Sequence, residues 1–158
     1  MNVEKYEKIK NSPFDEFVVD TMNLAEKPMG RIKALYRKVL SHFGQENLLS
    51  LRLVKYSDYV KTTLDYFLLH PEVSMCLLPN YDHSPRSGKN AIILTDSTPE
   101  AFGNLLKGAK KILDKNEGKQ KFVFIKAWNE WGEGNYLEPD LKYGRGFLEQ
   151  IRNVFAAK

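Results

Sequence analysis

The chain has 158 residues, 42% of them hydrophobic and 28% charged, and its 24 basic and 20 acidic residues give a formal net charge of +4. This composition is typical of a folded globular domain and excludes a disordered or collagen-like chain, while a single cysteine excludes an internal disulfide and a cysteine-based zinc cluster. No apolar run approaches the roughly 18–20 residues of a membrane helix, and residues 1–10 lack the apolar centre of a signal peptide. We therefore expect a cytoplasmic protein with no transmembrane segment.

The first part of the chain carries weak patterns. Residues 1–27 are predicted to be a poorly defined N-terminal segment. Apolar residues at helical spacing predict a helix over residues 31–42. After an extended link at residues 51–54, a second helix is predicted to begin with Ser57 as its N-cap and to end near Leu69.

Three short apolar runs in the remainder are candidate strands. SMCLLP at residues 74–79 predicts a buried strand, and AIILT at residues 91–95 is either a strand or an extended loop packed on the core. KFVFIKA at residues 121–127 is the clearest strand. Its apolar residues fall on both faces, as in a strand of a parallel sheet that is covered on both sides.

Helices are predicted between and after these strands. Thr98 followed by Pro99 is a strong helix start, with a hydroxyl N-cap before a proline in the first turn, and a last helix is predicted to begin near Gly144. Alternating strands and helices imply parallel strands joined by crossover helices, and hence an α/β fold. In such folds the loops that follow the strands meet at the carboxyl edge of the sheet, where active sites lie.

The basic residues do not by themselves indicate a nucleic-acid partner. Lys107, Lys110 and Lys111 alternate with apolar residues at helical spacing, which is typical of the solvated face of a surface helix. A nucleic-acid surface is the alternative, but the sequence contains no recognised zinc finger, RNA-recognition signature or glycine-rich phosphate loop. We predict no nucleic-acid partner, no metal and no cofactor.

The loop that follows the strand at residues 121–127 is the richest in potential chemistry. Its sequence WNEWGEG, residues 128–134, places Glu130 and Glu133 beside two tryptophans and two glycines. The glycines allow a sharp turn close to a ligand, and flat aromatic faces beside carboxylates suit the apolar and polar sides of a sugar. Glycosidic chemistry needs one carboxyl group as acid and another as base or nucleophile. The alternative is a loop with two surface glutamates whose tryptophans anchor it to the core.

A second polar loop, NYDHSPRSGKN at residues 80–90, follows the strand at residues 74–79. Asp82 can accept a hydrogen bond from a sugar hydroxyl, and Arg86 can bind a carboxylate or a phosphate. The alternative is turn chemistry, because Asn, Asp and Pro favour tight turns. A metal site at Asp82 and His83 is a further alternative, for which the sequence offers no clear third ligand.

These two loops carry a resemblance to a known family. AWNEWGEGNYLEPDLKYGRGFLEQI, residues 127–151, resembles the C-terminal signature of the WbsX-type polysaccharide-biosynthesis glycosyltransferases. PNYDHSPRSGKNAIILTDSTPEAF, residues 79–102, resembles the preceding strand-end loop and helix start of that family. KYSDYV, residues 55–60, resembles a Tyr-Asp-containing helix start further upstream, and the whole resemblance covers residues 28–155.

That family is similar in turn to the endo-α-mannosidase-type glycoside hydrolases, which are (β/α)₈ barrels. Their strand-end motif Asn-Glu-Trp-x-Glu matches residues 129–133 without a gap. The resemblance implies that Glu130 deprotonates the sugar 2-hydroxyl to give an anhydro-sugar intermediate, and that Glu133 serves as general acid and then as base. We assign substrate-binding roles to six further residues: Asn129, Trp131, Glu138, Tyr81, Asp82 and Arg86.

The resemblance implies a glycosyltransferase, or a related glycoside hydrolase, of lipopolysaccharide, O-antigen or exopolysaccharide biosynthesis, with an oligosaccharide or sugar-donor substrate. The alternative is a catalytically inactive fragment or a glycan-binding remnant of such an enzyme. The implied fold is the C-terminal portion of a (β/α)₈ barrel over residues 28–158. Because a closed barrel takes about 250 residues, we expect self-association or a missing N-terminal barrel half to complete it.

Overall fold

The computed structural model describes residue 13 and residues 17–25, 51–116 and 122–156. The helix predicted over residues 31–42 and most of the segment 1–27 lie outside these residues. In chain order the described elements are β1 (Val18–Asp20), α1 (Met22–Ala25), β2 (Arg52–Lys55), α2 (Tyr56–Leu69), β3 (Ser74–Leu77), α3 (Ser84–Ser87), β4 (Ile92–Thr95), α4 (Pro99–Lys115), β5 (Val123–Ile125), β6 (Asn129–Glu130), β7 (Asn135–Tyr136) and α5 (Gly146–Ile151), which continues as a π-helical turn over Arg152–Ala156.

The described strands form two parallel sheets and one small hairpin. The larger sheet has the order β1-β3-β5, and Cys76 of β3 lies opposite Asp20 of β1 and Phe124 of β5. β2 pairs in parallel with β4, and β6 pairs antiparallel with β7. The prediction of parallel strands in an α/β fold is confirmed, and the described strands do not close into a barrel.

The segment at residues 51–54 is a strand rather than a link, and it corrects the predicted start of α2. The helix begins at Tyr56 directly after β2, with Lys55 at the N-cap position and no side-chain cap, so the assignment of Ser57 as N-cap is wrong. The reason is burial of Tyr56, whose side chain is inaccessible and whose hydroxyl donates to the Leu78 carbonyl oxygen at 2.6 Å. This contact fixes the first turn more strongly than a serine cap would.

α4 begins as predicted. The Thr98 hydroxyl accepts a hydrogen bond from the Ala101 amide at 3.1 Å, and Pro99 occupies the first turn. On its outer side Lys110 forms an ion pair with Asp114 at 2.8 Å, as expected for a solvated helix face. None of the helices in the described part of the chain has the length and apolar character of a bilayer span.

The core lies on one face of the β1-β3-β5 sheet. Val19 and Met75 point from the strands into a cluster with Phe67 of α2 and Phe102 of α4. Side chains alternate across a strand, and the core packs on the first face, so among the described residues the opposite face is left uncovered. Phe122 and Phe124 are 63% and 43% exposed, so the prediction that both faces of this strand are covered is wrong.

A buried hydrogen-bond network fixes the carboxyl end of β3. The Thr21 hydroxyl donates to the Cys76 carbonyl oxygen at 2.6 Å, so the Tyr59 hydroxyl, also 2.6 Å from Thr21, donates to it. The Leu78 amide in turn donates to the Tyr59 oxygen at 3.0 Å. Burial raises the pKa of Tyr59, which therefore stays neutral and bonded on both sides. The network sets the direction in which the chain leaves the sheet after β3.

We expect Tyr59→Phe to lower the free energy of unfolding by about 1–3 kcal/mol, because it leaves the buried Leu78 amide without an acceptor. Tyr143→Phe is the matched control, since that hydroxyl is only partly buried and its bond to the Ser97 carbonyl oxygen is long, at 3.4 Å, and it should cost clearly less. Urea denaturation of both variants measures the difference. Equal destabilisation would contradict the role given to the network.

Candidate active site

The loops that follow β3 and β5 meet at the carboxyl edge of the larger sheet, as predicted. The two strands are parallel neighbours, so both chains leave the sheet at the same edge. The Asp82 amide donates to the Glu133 carbonyl oxygen at 2.8 Å, and the Tyr136 amide donates to the Asn80 side-chain oxygen at 2.9 Å. The two loops therefore form one joined unit.

The loop after β5 is more regular than the sequence indicated. After a cis peptide bond between Lys126 and Ala127, β6 and β7 form a short hairpin around a 3₁₀ turn, Trp131–Glu133. Asn135 is fully buried, and its side-chain oxygen accepts the Ala127 amide at 2.9 Å. The buried Asn135 side chain thus ties the hairpin to the chain that leaves β5.

Glycines bring this turn against the neighbouring loop. Gly134 is left-handed, with φ at +51°, and a Cβ atom there would lie 2.9 Å from the Asp82 Cβ and 3.0 Å from its amide nitrogen. A Cβ at Gly132 would lie 3.2 Å from the Arg86 Nε. The predicted close approach at these glycines is therefore made to the second loop of the same chain.

The two predicted catalytic carboxylates share one guanidinium. Arg86 donates from Nη2 to the Glu130 Oε1 at 2.6 Å and from Nη1 to the Glu133 Oε1 at 2.9 Å. Glu133 is the more enclosed of the pair, with 16% of its side chain exposed against 40% for Glu130. His83 adds a longer contact, 3.7 Å from its Nε2 to the same Glu133 oxygen. The structure thus brings Glu130, Glu133 and Arg86 together.

The Asp82 side chain stabilises the turn that begins the second loop. One of its carboxylate oxygens accepts the Ser84 amide at 2.9 Å, which is the turn chemistry stated as the alternative. Tyr81 beside it is almost fully buried and stacks on His83, with 5.9 Å between ring centroids. Burial and the Glu133 carboxylate raise the pKa of Tyr81, so its hydroxyl remains a hydrogen-bond donor.

An aromatic surface lies beside the carboxylates. Trp131 stacks on Tyr136 with 3.8 Å between centroids, donates from its indole nitrogen to Glu138 at 2.6 Å, and is 47% exposed. Burial and a hydrogen bond to Asp140 raise the pKa of Tyr136 to about 12. The alternative had both tryptophans anchoring the loop to the core, but Trp128 is also half exposed, at 52%. The buried Asn135 anchors the loop instead.

Asn129 is exposed at the start of β6, opposite Tyr136 in the hairpin. Within the described ranges no group of three acidic, histidine or cysteine side chains is placed to hold a metal ion, so the alternative of a metal site at Asp82 and His83 gains no support there.

Two charged residues at this edge were missed by the sequence analysis. Asp20, the last residue of β1, lies 3.3 Å from the Nζ of Lys126, which directly follows β5. The available signal was the position of Lys126 immediately before the WNEWGEG loop. The sequence around Asp20 gave no signal, because β1 has only three residues. It forms a strand by pairing with β3, which is distant in the chain.

The comparisons with known proteins agree with the resemblance carried by these loops. The family model described as Glycosyltransferase WbsX matches residues 2–151. The chain belongs to the WbsX family. The match to WbsX begins at residue 2, well before the first of the motifs quoted above.

Two curated relatives of this WbsX-family chain are both uncharacterized proteins WxcX from Xanthomonas campestris pv. campestris. One is 32% identical over 142 residues, which is 89% of this chain and 19% of the relative. The other, from strain B100, is 35% identical over 98 residues, which is 61% of this chain and 14% of the relative. The alignments therefore span less than a fifth of the length of either relative. No solved structure matches the chain.

We expect Gly134→Ala to destabilise the WbsX-family site more than Gly144→Ala does. Both glycines are left-handed, at φ +51° and +53°, but nothing lies within 4 Å of a Cβ at Gly144. Gly144→Ala should therefore cost only the backbone term of about 1–2 kcal/mol, and Gly134→Ala about 1–3 kcal/mol more through overpacking against Asp82. Chemical denaturation measures this, and faster exchange of the Asp82 amide would locate the damage. Equal costs would show that the close approach is unimportant.

Proposed function

We propose that this chain supplies the acidic residues of a carbohydrate active site that acts in surface-polysaccharide biosynthesis, as a glycosyltransferase or a related glycoside hydrolase. One observation carries the proposal: two carboxylates from the loop after β5 and a guanidinium from the loop after β3 converge at the carboxyl edge of a parallel sheet. Membership of the WbsX family supports the substrate class. We also propose that the protein acts in lipopolysaccharide or O-antigen biosynthesis and that it is located in the cytoplasm.

The proposed chemistry follows the two-step scheme implied by the resemblance. In the first step Glu130 takes the proton of the sugar 2-hydroxyl, O2 attacks C1, and the bond from C1 to the leaving oxygen breaks while Glu133 protonates that oxygen. In the second step the acceptor hydroxyl, or water in hydrolysis, gives its proton to Glu133 and its oxygen attacks C1. The bond from C1 to O2 breaks, and O2 takes its proton back from Glu130. Both glutamates end in their starting forms.

Arg86 lies where a sugar would have to enter. Its guanidinium bridges the two carboxylates through their Oε1 atoms, and a ring seated between the two glutamates would displace it. Half of the Arg86 side chain is exposed, which leaves it room to swing outward and contact the ligand. We therefore assign Arg86 to substrate entry, and Asp82 and Tyr81 to support of the loop that carries Arg86.

Trp131 is the proposed stacking surface for a sugar ring. Its exposed face lies on the same short turn as Glu133, and an aromatic face packs well on the apolar side of a pyranose. Glu138 fixes the tilt of the indole through the 2.6 Å hydrogen bond, so we assign it an indirect role. Asn129, exposed at the start of the hairpin, completes the proposed contacts.

The open face of the larger sheet supports the proposed barrel. Parallel strands with helices on one face and exposed Phe122 and Phe124 on the other match a segment of barrel wall, whose inner side normally packs against side chains from the other strands of the barrel. The relatives are more than five times longer than the aligned segment. A missing N-terminal barrel half, or self-association of this chain, would cover that face.

A binding protein without turnover is the second candidate. The observation that favours it is the ion pairing of both carboxylates with Arg86, which leaves an exposed aromatic platform beside groups that are already partnered. Binding of oligosaccharides without any product would support it, and turnover by the chain would reject it.

We expect Glu133→Gln to lower the rate of glycosyl transfer or hydrolysis by about 10²–10⁴-fold, because the amide can neither give nor take the proton. Glu149→Gln, an exposed change on α5, should leave the rate unchanged. Both variants are assayed in the chain alone and together with the proposed N-terminal half, with product detected by mass spectrometry. Full activity of Glu133→Gln would remove its catalytic role.

Trp131 should report saccharide binding directly. The chain has two tryptophans, so Trp128→Phe leaves Trp131 as the single indole emitter. Titration with mannose-containing oligosaccharides should shift or quench its fluorescence, because a stacked ring removes water from the indole face. The reverse variant, Trp131→Phe, should show a much weaker response. An unchanged Trp131 signal in the presence of bound sugar would contradict stacking.

A further inference from the structure

A second charged group occupies the same edge of the sheet as the glutamates. Asp20 ends β1 and Lys126 follows β5, so the pair reaches across the end of β3, which lies between them. The Lys126 Nζ is 3.3 Å from the Asp20 Oδ2, and both side chains are partly exposed. The pair is therefore accessible to a ligand at the carboxyl edge.

The orientation of the pair is fixed by the backbone. The other Asp20 oxygen accepts the Met22 amide at 3.0 Å, which holds the carboxylate in place. Asp20 also lies in register with Cys76 and Phe124 on the uncovered face of the sheet. Asp20 and Lys126 thus stand at the upper rim of that open face.

Tyr81 connects this pair to the proposed catalytic group. The pKa of the Tyr81 phenol is raised by burial and by Glu133 and Asp20, and is lowered by Lys126 and Arg86. Charges on both sides therefore act on one hydroxyl. The pKa of Lys126 shows the same proximity: burial lowers it, but Asp20 and Glu133 outweigh burial and keep the ammonium charged. Tyr81 and Lys126 therefore both lie within electrostatic range of Asp20 and Glu133.

We infer that Asp20 and Lys126 form a second hydroxyl-binding position for the saccharide, which helps to decide which sugar units or linkages the site accepts. A carboxylate and an ammonium side by side offer one acceptor and one donor with no net charge, which suits neighbouring hydroxyls of a neutral sugar. The inference rests on the proposed function. The alternative is a structural ion pair that links β1 to the end of β5, but an ion pair as exposed as this one contributes little to stability.

The test uses Asp20→Asn and Lys126→Met in the full chain, titrated with neutral mannose-, glucose-, galactose- and rhamnose-containing oligosaccharides. The dissociation constant of the best ligand should rise about tenfold or more in each variant, with the melting temperature unchanged. Asp114→Asn and Lys110→Met are matched controls, because they make the same charge changes in the ion pair on α4. These controls should bind as the unmodified chain does.

Deoxy ligands distinguish a direct contact with the sugar from a purely structural role of the ion pair. A sugar lacking the contacted hydroxyl should bind the unmodified chain and Asp20→Asn equally, whereas a structural role would weaken every ligand alike. If either substitution prevents folding, Asp20→Glu and Lys126→Arg replace it, and an altered order of ligand preference is expected. Unchanged affinity in these variants, with binding lost in Trp131→Ala, would overturn the inference and leave the proposed function standing. No binding of any oligosaccharide by the unmodified chain would overturn both.

Discussion

The parallel pairing of β3 with β5 is the constraint on which the site depends. Because Cys76 and Phe124 are in register, both strands end at one level and their loops leave in the same direction. The backbone bond from the Asp82 amide to the Glu133 oxygen then joins the loops directly. Any shift of register would separate Arg86 from the glutamates, so the chemistry of the edge is set by sheet geometry.

Arg86 offsets the repulsion between the Glu130 and Glu133 carboxylates that this geometry creates. Two carboxylates three residues apart on a tight turn repel each other, and a cation from the facing loop offsets the repulsion. The same contact brings the guanidinium close to the turn at Gly132, where a Cβ would lie 3.2 Å from the Arg86 Nε. The position of Arg86 therefore affects both the shape of the turn and the charge balance at the two glutamates.

Sequence patterns were sufficient where local interactions decide structure. Thr98 and Pro99 define the start of α4 without help from the rest of the chain, and the run at residues 74–79 defines β3. Patterns failed where distant contacts decide. β1 is a strand because it pairs with residues more than fifty positions away, and Tyr56 begins α2 because its side chain is buried. Local capping by Ser57 was overruled for that reason.

The site shows the same division between local and distant causes. The motif gave Glu130 and Glu133, and strand alternation placed their loop beside the one that holds Arg86. The guanidinium bridge itself could not be predicted, since two carboxylates and one arginine allow several pairings. The position of Asp20 in the site could not be predicted, for the same reason that β1 could not. Its neighbour across the edge, Lys126, is 106 residues away in the chain. A sheet edge assembled from the ends of several strands collects side chains that are distant in sequence, so a motif from one loop reveals only part of that edge.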